Sequence, residues 1–193
     1  YAKEGTHCQD CHMPLISGNT VKPKIKKSRQ KQINLHAISA GHSTEQLKKA
    51  LKVEIKKINE HGDIIEVVVG VTNIGSGHLV PTGIPARKLI LSVELRTPNE
   101  YFVQQKTYQR ILSDESGNEI KKEREVFLKA ARVSFDNRLR PRETRTERFA
   151  FVKPRNKKIT ITARADYLYK TKVMSPTEMR VKMAEDIRSL TKK

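Results

Sequence analysis

The chain has 193 residues and two cysteines, and both cysteines lie in residues 7–14, which read HCQDCHMP. Cys8 and Cys11 are followed at once by His12, so the stretch has the spacing C-x-x-C-H. This spacing suits the attachment of a c-type haem, because two thiols add to the two vinyl groups of the porphyrin and the adjoining imidazole ligates the iron. The sequence therefore predicts one covalent haem c bound through Cys8 and Cys11, with His12 as the proximal ligand.

A cysteine pair at this spacing also serves three other chemistries. A redox dithiol normally opens a helix within a βαβ pattern, and no such pattern follows Cys11. A zinc site could combine Cys8 and Cys11 with His36 and His42, but it gives no reason for a histidine directly after the second cysteine. A disulfide would close a very short loop and stabilise the chain little. The haem interpretation uses all three residues of the motif and is therefore favoured.

Three further histidines are candidates for the distal side of the iron. A low-spin haem with both axial positions filled needs a second ligand opposite His12. His36 and His42 lie in LHAISAGHS, and His78 lies in NIGSGHLVPTG, where glycines allow the backbone to approach a bulky group. One attachment motif accompanied by several such histidines suggests that some of them ligate neighbouring haems, whose cysteines lie elsewhere.

The periodicity of apolar residues predicts the elements that position these groups. Residues 1–50 are irregular apart from a short helix at Thr44–Ala50, and we expect them to form the haem-attachment segment. Residues 51–172 alternate apolar and polar side chains in short runs separated by turns, which predicts a mainly β domain, an antiparallel Ig-like β-sandwich. Its first hairpin has His61 in the turn, where we expect an exposed side chain.

The last segment, residues 173–193, has the signals of a C-terminal helix. The dipeptide at residues 175–176, Ser-Pro, suits an N-cap followed by the first helical position. Met179, Met183 and Ile187 follow at intervals of four residues, which predicts an apolar stripe on one helix face. Methionines in such a stripe are more typical of packing than of iron ligation. The sequence thus predicts a haem-binding segment, a sandwich domain and a C-terminal helix.

Charge and composition limit the partners of the chain. It carries 39 Lys and Arg against 21 Asp and Glu, a formal net charge of +18, so we expect acidic redox partners. Nucleic acid is a less suitable partner, because Trp is absent and the five Phe and five Tyr lie mostly in strand-like runs. No apolar run approaches the roughly 20 residues of a membrane span. Because the sequence starts at Tyr1, we expect either a removed signal peptide or a piece of a longer polypeptide.

Three segments resemble the C-terminal region of multihaem c-type cytochromes. GTHCQDCHMP resembles the last attachment motif of such chains, and LHAISAGHSTEQLKKAL resembles a following segment with paired histidines before a short helix. VTNIGSGHLVPTG resembles the Gly-His-x-x-Pro-Thr-Gly turn of an appended β domain. The resemblance implies electron transfer, with His12 as proximal ligand and with His36, His42 and His78 as distal candidates on this haem or on adjacent ones.

Members of such families carry several C-x-x-C-H motifs, whereas this chain carries one. We therefore expect a subunit or terminal part of a multihaem assembly, whose partners are other cytochrome chains or haems. Because haem c is attached outside the cytoplasm, the resemblance also implies a periplasmic or extracellular location.

Two other functions stay open at this point. One is a subunit of a multihaem redox enzyme acting on nitrogen oxides, although the sequence has no evident acid–base constellation for a vacant iron position, which favours an electron carrier over an enzyme. The other is a haem-free β-sandwich module for binding or scaffolding, clipped by zinc.

Overall fold

The computed structural model describes residues 5–19, 22, 24–25, 32–36, 41, 43–155, 158–169 and 178–191 of the chain. The chain divides into two compact units, which we call the N-terminal unit (residues 1–46) and the sandwich unit (residues 47–193).

The N-terminal unit begins with a single helical turn, α1 (Cys8–His12). A two-stranded antiparallel ribbon follows, in which β1 (Leu15–Ser17) pairs with β2 (Gln32–Asn34). Helix α2 (Thr44–Ala50) comes next in the chain. The short helix predicted at these residues is therefore confirmed.

The sandwich unit consists mainly of long strands. In chain order its elements are β3 (Leu51–His61), β4 (Ile64–Asn73), β5 (Arg87–Arg96), β6 (Tyr101–Tyr108), β7 (Arg110–Ser113), α3 (Glu123–Lys129), β8 (Arg132–Asp136), β9 (Thr144–Val152), β10 (Lys158–Tyr169) and β11 (Met179–Thr191).

Two antiparallel sheets pack face to face in this unit. One sheet has the strand order β3–β4–β9 and the other has the order β11–β10–β5–β6, while β7 and β8 form a separate ribbon. Strand β3 packs against β10 and β11 of the opposite sheet. Alternate side chains of the central strands are completely buried between the sheets, among them Val67, Val69, Val71, Leu89, Leu91 and Val93. The predicted mainly β, Ig-like antiparallel sandwich is confirmed.

The predicted C-terminal helix is wrong, because residues 179–191 form β11, an edge strand paired antiparallel with β10. An interval of four residues is an even number, so Met179, Met183 and Ile187 fit the strand period of two as well as one helical turn. Pairing with β11 also satisfies the backbone groups along one edge of β10, which a helix would leave open. The N-cap signal at residues 175–176 lies outside the described residues.

A bulge in β11 explains which of its apolar residues are buried. The register with β10 shifts so that Met183 has no partner of its own, and its side chain is 4% exposed in the core. Beyond the bulge the alternation changes phase. Leu190 consequently packs against the core, whereas Ile187 is 54% exposed. Met179 also packs against the core, so both methionines serve packing, as predicted.

The connection between β4 and β5 starts at a close backbone contact. The backbone N–H groups of Ile74 and Gly75 both donate to the carbonyl oxygen of Ala50, at 3.0 and 3.2 Å. A Cβ atom at Gly75 would fall on the carbonyl oxygen of Lys49. The end of α2 and the start of this connection therefore pack backbone to backbone, which needs a glycine.

Replacing Gly75 by Ala should lower the free energy of unfolding by about 2 kcal/mol, because the added methyl group displaces main chain. The matched control is Gly70→Ala, where the Cβ would meet the end of the Lys56 side chain, which can turn away. The control should therefore change the free energy of unfolding by less than about 1 kcal/mol. Urea unfolding followed by circular dichroism measures both variants, and equal losses would contradict the assigned contact.

Candidate functional site

Helix α1 places its two thiols on one face. His7 occupies the N-cap, and its backbone N–H donates to the carboxylate of Asp10 at 2.6 Å. The backbone N–H of Met13 closes the turn with a 2.7 Å hydrogen bond to the carbonyl four residues earlier. Because residues three apart on a helix lie on the same face, Cys8 and Cys11 project to the same side of the turn.

Both thiols of this turn are exposed, and they do not form a disulfide with each other. His12 ends the helix and is half-buried. The two free thiols lie on one face of the turn, and an imidazole follows the second thiol directly. A planar group that covers this face can therefore reach the thiols. The residues present therefore fit a covalently bound haem.

Side chains from later segments hold the turn in place. Gln46, in α2, donates its side-chain amide to the carbonyl oxygen of Cys11 at 2.9 Å. Asn34, at the end of β2, donates its side-chain amide to the carbonyl oxygen of Met13 at 2.8 Å. The attachment turn is thus anchored through its last carbonyl groups.

The β1–β2 ribbon also brings a predicted distal candidate back to this turn. The backbone N–H of Leu35 donates to the carbonyl oxygen of Pro14 at 2.9 Å, just beyond the paired strands. The next residue, His36, is exposed and directly follows this hydrogen bond. His42 lies outside the described residues.

The N-terminal unit has no buried residue among those that the structure describes. Its large apolar side chains are open to solvent: Leu15 is 61% exposed, Ile25 is 75% exposed and Leu35 is 40% exposed. Units of this size usually depend on a disulfide, a metal or a cofactor, because their own core cannot offset the entropy of ordering the chain. A haem would supply apolar surface of the kind these side chains lack.

In the sandwich unit, the side chain of Asn73 organises the loop that carries His78. Asn73 is completely buried at the end of β4. Its side-chain N–H donates to the carbonyl oxygen of His78 at 2.9 Å, and its side-chain oxygen accepts from the backbone N–H of Ser76 at 3.1 Å. One amide side chain therefore closes the turn from residue 73 to residue 78.

The imidazole of His78 is exposed and is oriented by its neighbours. Its Nδ1 lies 3.1 Å from the carbonyl oxygen of Leu79, and the hydroxyl oxygen of Ser76 lies 3.1 Å from Nδ1 and 3.3 Å from Nε2. In the tautomer that donates Nδ1–H to the Leu79 carbonyl, the lone pair is on Nε2. A ring N–H bonded to a backbone carbonyl is typical of histidines that ligate metals through the other nitrogen.

Residues 136–143 hold the other side of this loop. Val80 and Leu139 exchange two backbone hydrogen bonds, each of 2.9 Å. The guanidinium of Arg138 donates to both carboxylate oxygens of Asp136, at 2.8 and 2.6 Å. These hydrogen bonds hold the pKa of Asp136 below its usual range. The His78 loop is therefore supported by segments far apart in the sequence.

His61 ends β3 and is exposed, as predicted. Within the described residues, no group of three or more His, Cys, Asp or Glu side chains could hold a metal ion. Of the suggested zinc ligands, Cys8, Cys11 and His36 are described and do not form such a group. No helix in the described ranges is long and apolar enough to cross a membrane.

Sequence reasoning missed Asn73 and Ser76, which shape the histidine loop. A signal for them was present, because an asparagine whose side chain caps backbone groups two or three residues later is a common turn former. The role of Leu139 had no local signal, since its contact with Val80 joins residues far apart in the chain.

The chain was also compared with known proteins. No family model matches it, and no curated protein matches it. Among solved structures, a penta-haem cytochrome c552 from Thermochromatium tepidum matches with a TM-score of 0.68 and 20% sequence identity, over 96% of this chain and 47% of that chain. The chain thus spans about half the length of this cytochrome.

Two β-glucosidases match far less well. Those from Kluyveromyces marxianus and Thermotoga neapolitana have TM-scores of 0.34 and 0.30 at 10% identity, over 75% of this chain and 15% and 17% of theirs. Such values support no inference. The comparison with the penta-haem cytochrome shows that this chain shares its fold with about half of that protein.

Proposed function

We propose that this chain is a c-type cytochrome that carries one haem c and transfers electrons. Cys8 and Cys11 would form the two thioether bonds, and His12 would be the proximal ligand. The proposal rests on one helical turn that carries two free, exposed thiols and an adjoining imidazole. This turn belongs to a unit in which none of the described residues is buried. The fold shared with a penta-haem cytochrome supports it.

The surrounding residues have separate roles in this proposal. A bound haem supplies a one-electron carrier that alternates between the ferric and ferrous states. The Asp10 carboxylate keeps the N-terminal end of α1 closed, and the Gln46 amide keeps the carbonyl of Cys11 in place. The exposed side chains of Leu15 and Leu35 provide apolar surface that a porphyrin could cover.

The distal ligand is proposed to be His36, His42 or His78. His36 is supported by the ribbon that returns it to the end of α1. His78 is supported by its exposed ring, whose Nδ1 lies 3.1 Å from the carbonyl oxygen of Leu79, and ligation through Nε2 would replace the contact of that nitrogen with the Ser76 hydroxyl. The histidines that do not ligate this haem are proposed to ligate neighbouring ones.

The chain is further proposed to act in a multihaem assembly, in the periplasm or outside the cell. It has one attachment motif, whereas the longer cytochrome with the same fold is described as penta-haem. Its redox partners would be other cytochrome chains or haems, and its net charge of +18 would attract acidic surfaces. A subunit of a multihaem redox enzyme is the alternative, and it would need an open iron position.

The haem proposal predicts the mass of the chain. When the full chain is exported in a host that matures c-type cytochromes, denaturing mass spectrometry should find one haem per chain, because thioether bonds survive denaturation. The double variant Cys8→Ala/Cys11→Ala should carry none, and each single variant should give a pyridine haemochrome spectrum typical of one thioether.

His61→Ala is the control for this experiment, because His61 is exposed at the end of β3 and should not affect attachment. An unmodified mass for the parent chain would reject the haem proposal. If stoichiometric zinc accompanied that mass, the zinc-clipped binding module would become the better account.

The ligation proposal predicts that one of the variants His36→Ala, His42→Ala and His78→Ala converts the visible and electron paramagnetic resonance spectra from low spin to high spin. Free imidazole should restore the low-spin spectrum of that variant, since it replaces the lost ligand. His61→Ala should keep the parent spectrum.

Two results would count against this assignment. Low-spin spectra in all three variants would mean that the distal ligand is another group. A high-spin spectrum of the parent chain would favour the enzyme alternative, because the iron would then have an open position.

A further inference from the structure

A cavity of about 600 Å³ lies in the sandwich unit, beside the β7–α3–β8 segment. It is bounded by the start of β5, by β7, by the segment that leads into α3 and by Leu168 of β10. This volume is within the range of small-molecule sites. Neither cysteine and no histidine is among the residues that line it.

The walls of the cavity are largely apolar. Side chains from four separate parts of the unit contribute, including Ala86, Ile111, Ile120, Val126 and Leu168.

The cavity is also strongly cationic. Five of its lining residues carry positive charge and one, Glu119, carries negative charge; the cations are Lys88, Arg110, Lys121, Lys122 and Arg124. Among the residues that the structure describes, none of these five cations forms an ion pair. Other arginines of the unit do form ion pairs, as Arg138 does with Asp136 and Arg148 with Glu66. The cavity therefore concentrates positive charge, which Glu119 on its wall and the Asp136 carboxylate near Arg110 offset only in part.

One nitrogen of the Arg110 guanidinium also has no hydrogen-bond acceptor. Its terminal nitrogen donates to the carbonyl oxygen of Gly83 at 2.9 Å, but its Nε is buried and has no acceptor. A buried donor without an acceptor costs about 1–3 kcal/mol. The buried Nε is out of reach of a ligand in the cavity, but a negative charge there would attract the guanidinium as a whole, as the Asp136 carboxylate does.

We propose that this cavity binds an amphipathic anion, a molecule with an apolar body and a carboxylate or phosphate group. A small inorganic anion would meet the cations but would leave the apolar walls uncovered. A neutral hydrocarbon would cover the walls but would leave the five cations unpaired. The required chemistry is shared by fatty acids, which derive from lipid, and by soluble aromatic carboxylates.

The test uses isothermal titration of the full chain with four probes: decanoate below its micelle concentration, 1-decanol, 2-naphthoate and inorganic phosphate. We expect one site per chain for at least one of the two carboxylates, about tenfold tighter or more than for 1-decanol and phosphate. Decanoate as the tighter ligand would indicate a lipid-derived anion, and 2-naphthoate would indicate a soluble aromatic one. Equal binding of 1-decanol or of phosphate would overturn the proposal, as would no binding of either carboxylate.

The variant Lys121→Gln/Lys122→Gln tests the location, because both lysines are exposed and their replacement should leave the fold intact. It should weaken carboxylate binding about fivefold or more. The matched control is Lys57→Gln/Lys106→Gln, which makes the same change in net charge at exposed positions of β3 and β6. Equal weakening in both variants would mean that net charge alone attracts the probe and would overturn the assignment to the cavity.

Discussion

The packing of two antiparallel sheets against each other is the interaction on which the sandwich unit depends. The inward side chains of β4 and β5 are completely buried, and β3 packs across the gap against β10 and β11. Burial of this kind is the dominant favourable contribution to folding. The packing of the sheets also positions the segments at the ends of the strands, including the histidine loop.

The histidine loop illustrates this dependence. Asn73 ends β4, and Leu139 lies ahead of β9, yet the amide of Asn73 lies within 3.4 Å of the carbonyl oxygen of Leu139. Because β4 and β9 are hydrogen-bonded neighbours, the segments at their ends must meet. Their meeting creates a buried position for one polar side chain, and that side chain then sets the path of the backbone to His78.

The N-terminal unit is not held together by side chains packed in a core, as far as its described residues show. Its described residues include no buried side chain, and hydrogen bonds from the side chains of Asn34 and Gln46 hold the C-terminal end of the α1 turn. Hydrogen bonds of this type each contribute only about 1 kcal/mol net. The proposed haem would add apolar surface at a fixed point of this unit, where the described residues provide no buried core of their own.

The charges of the sandwich unit also fall into two groups. Asp166 is 3% exposed and lies 3.0 Å from Arg164 and 3.6 Å from Arg180, so this buried carboxylate is compensated within the protein. The cations around the cavity beside α3 form no ion pair among the described residues, and Glu119 and Asp136 offset their charge only in part. The net charge of +18 is therefore not spread evenly as a solvated surface, and part of it is concentrated over apolar walls.

The sequence by itself determined the C-x-x-C-H spacing, the helix at Thr44–Ala50 and the mainly β sandwich, because each depends on local spacing or on a period of two. It did not determine whether residues 179–191 are helix or strand, since Met179, Met183 and Ile187 suit both periods. That choice depended on the open edge of β10, which exists only after the sheet has formed. The support of His78 by Leu139 and the cationic cavity were likewise decided by the tertiary structure, because both join segments that are distant in the chain and carry no signal of their contact.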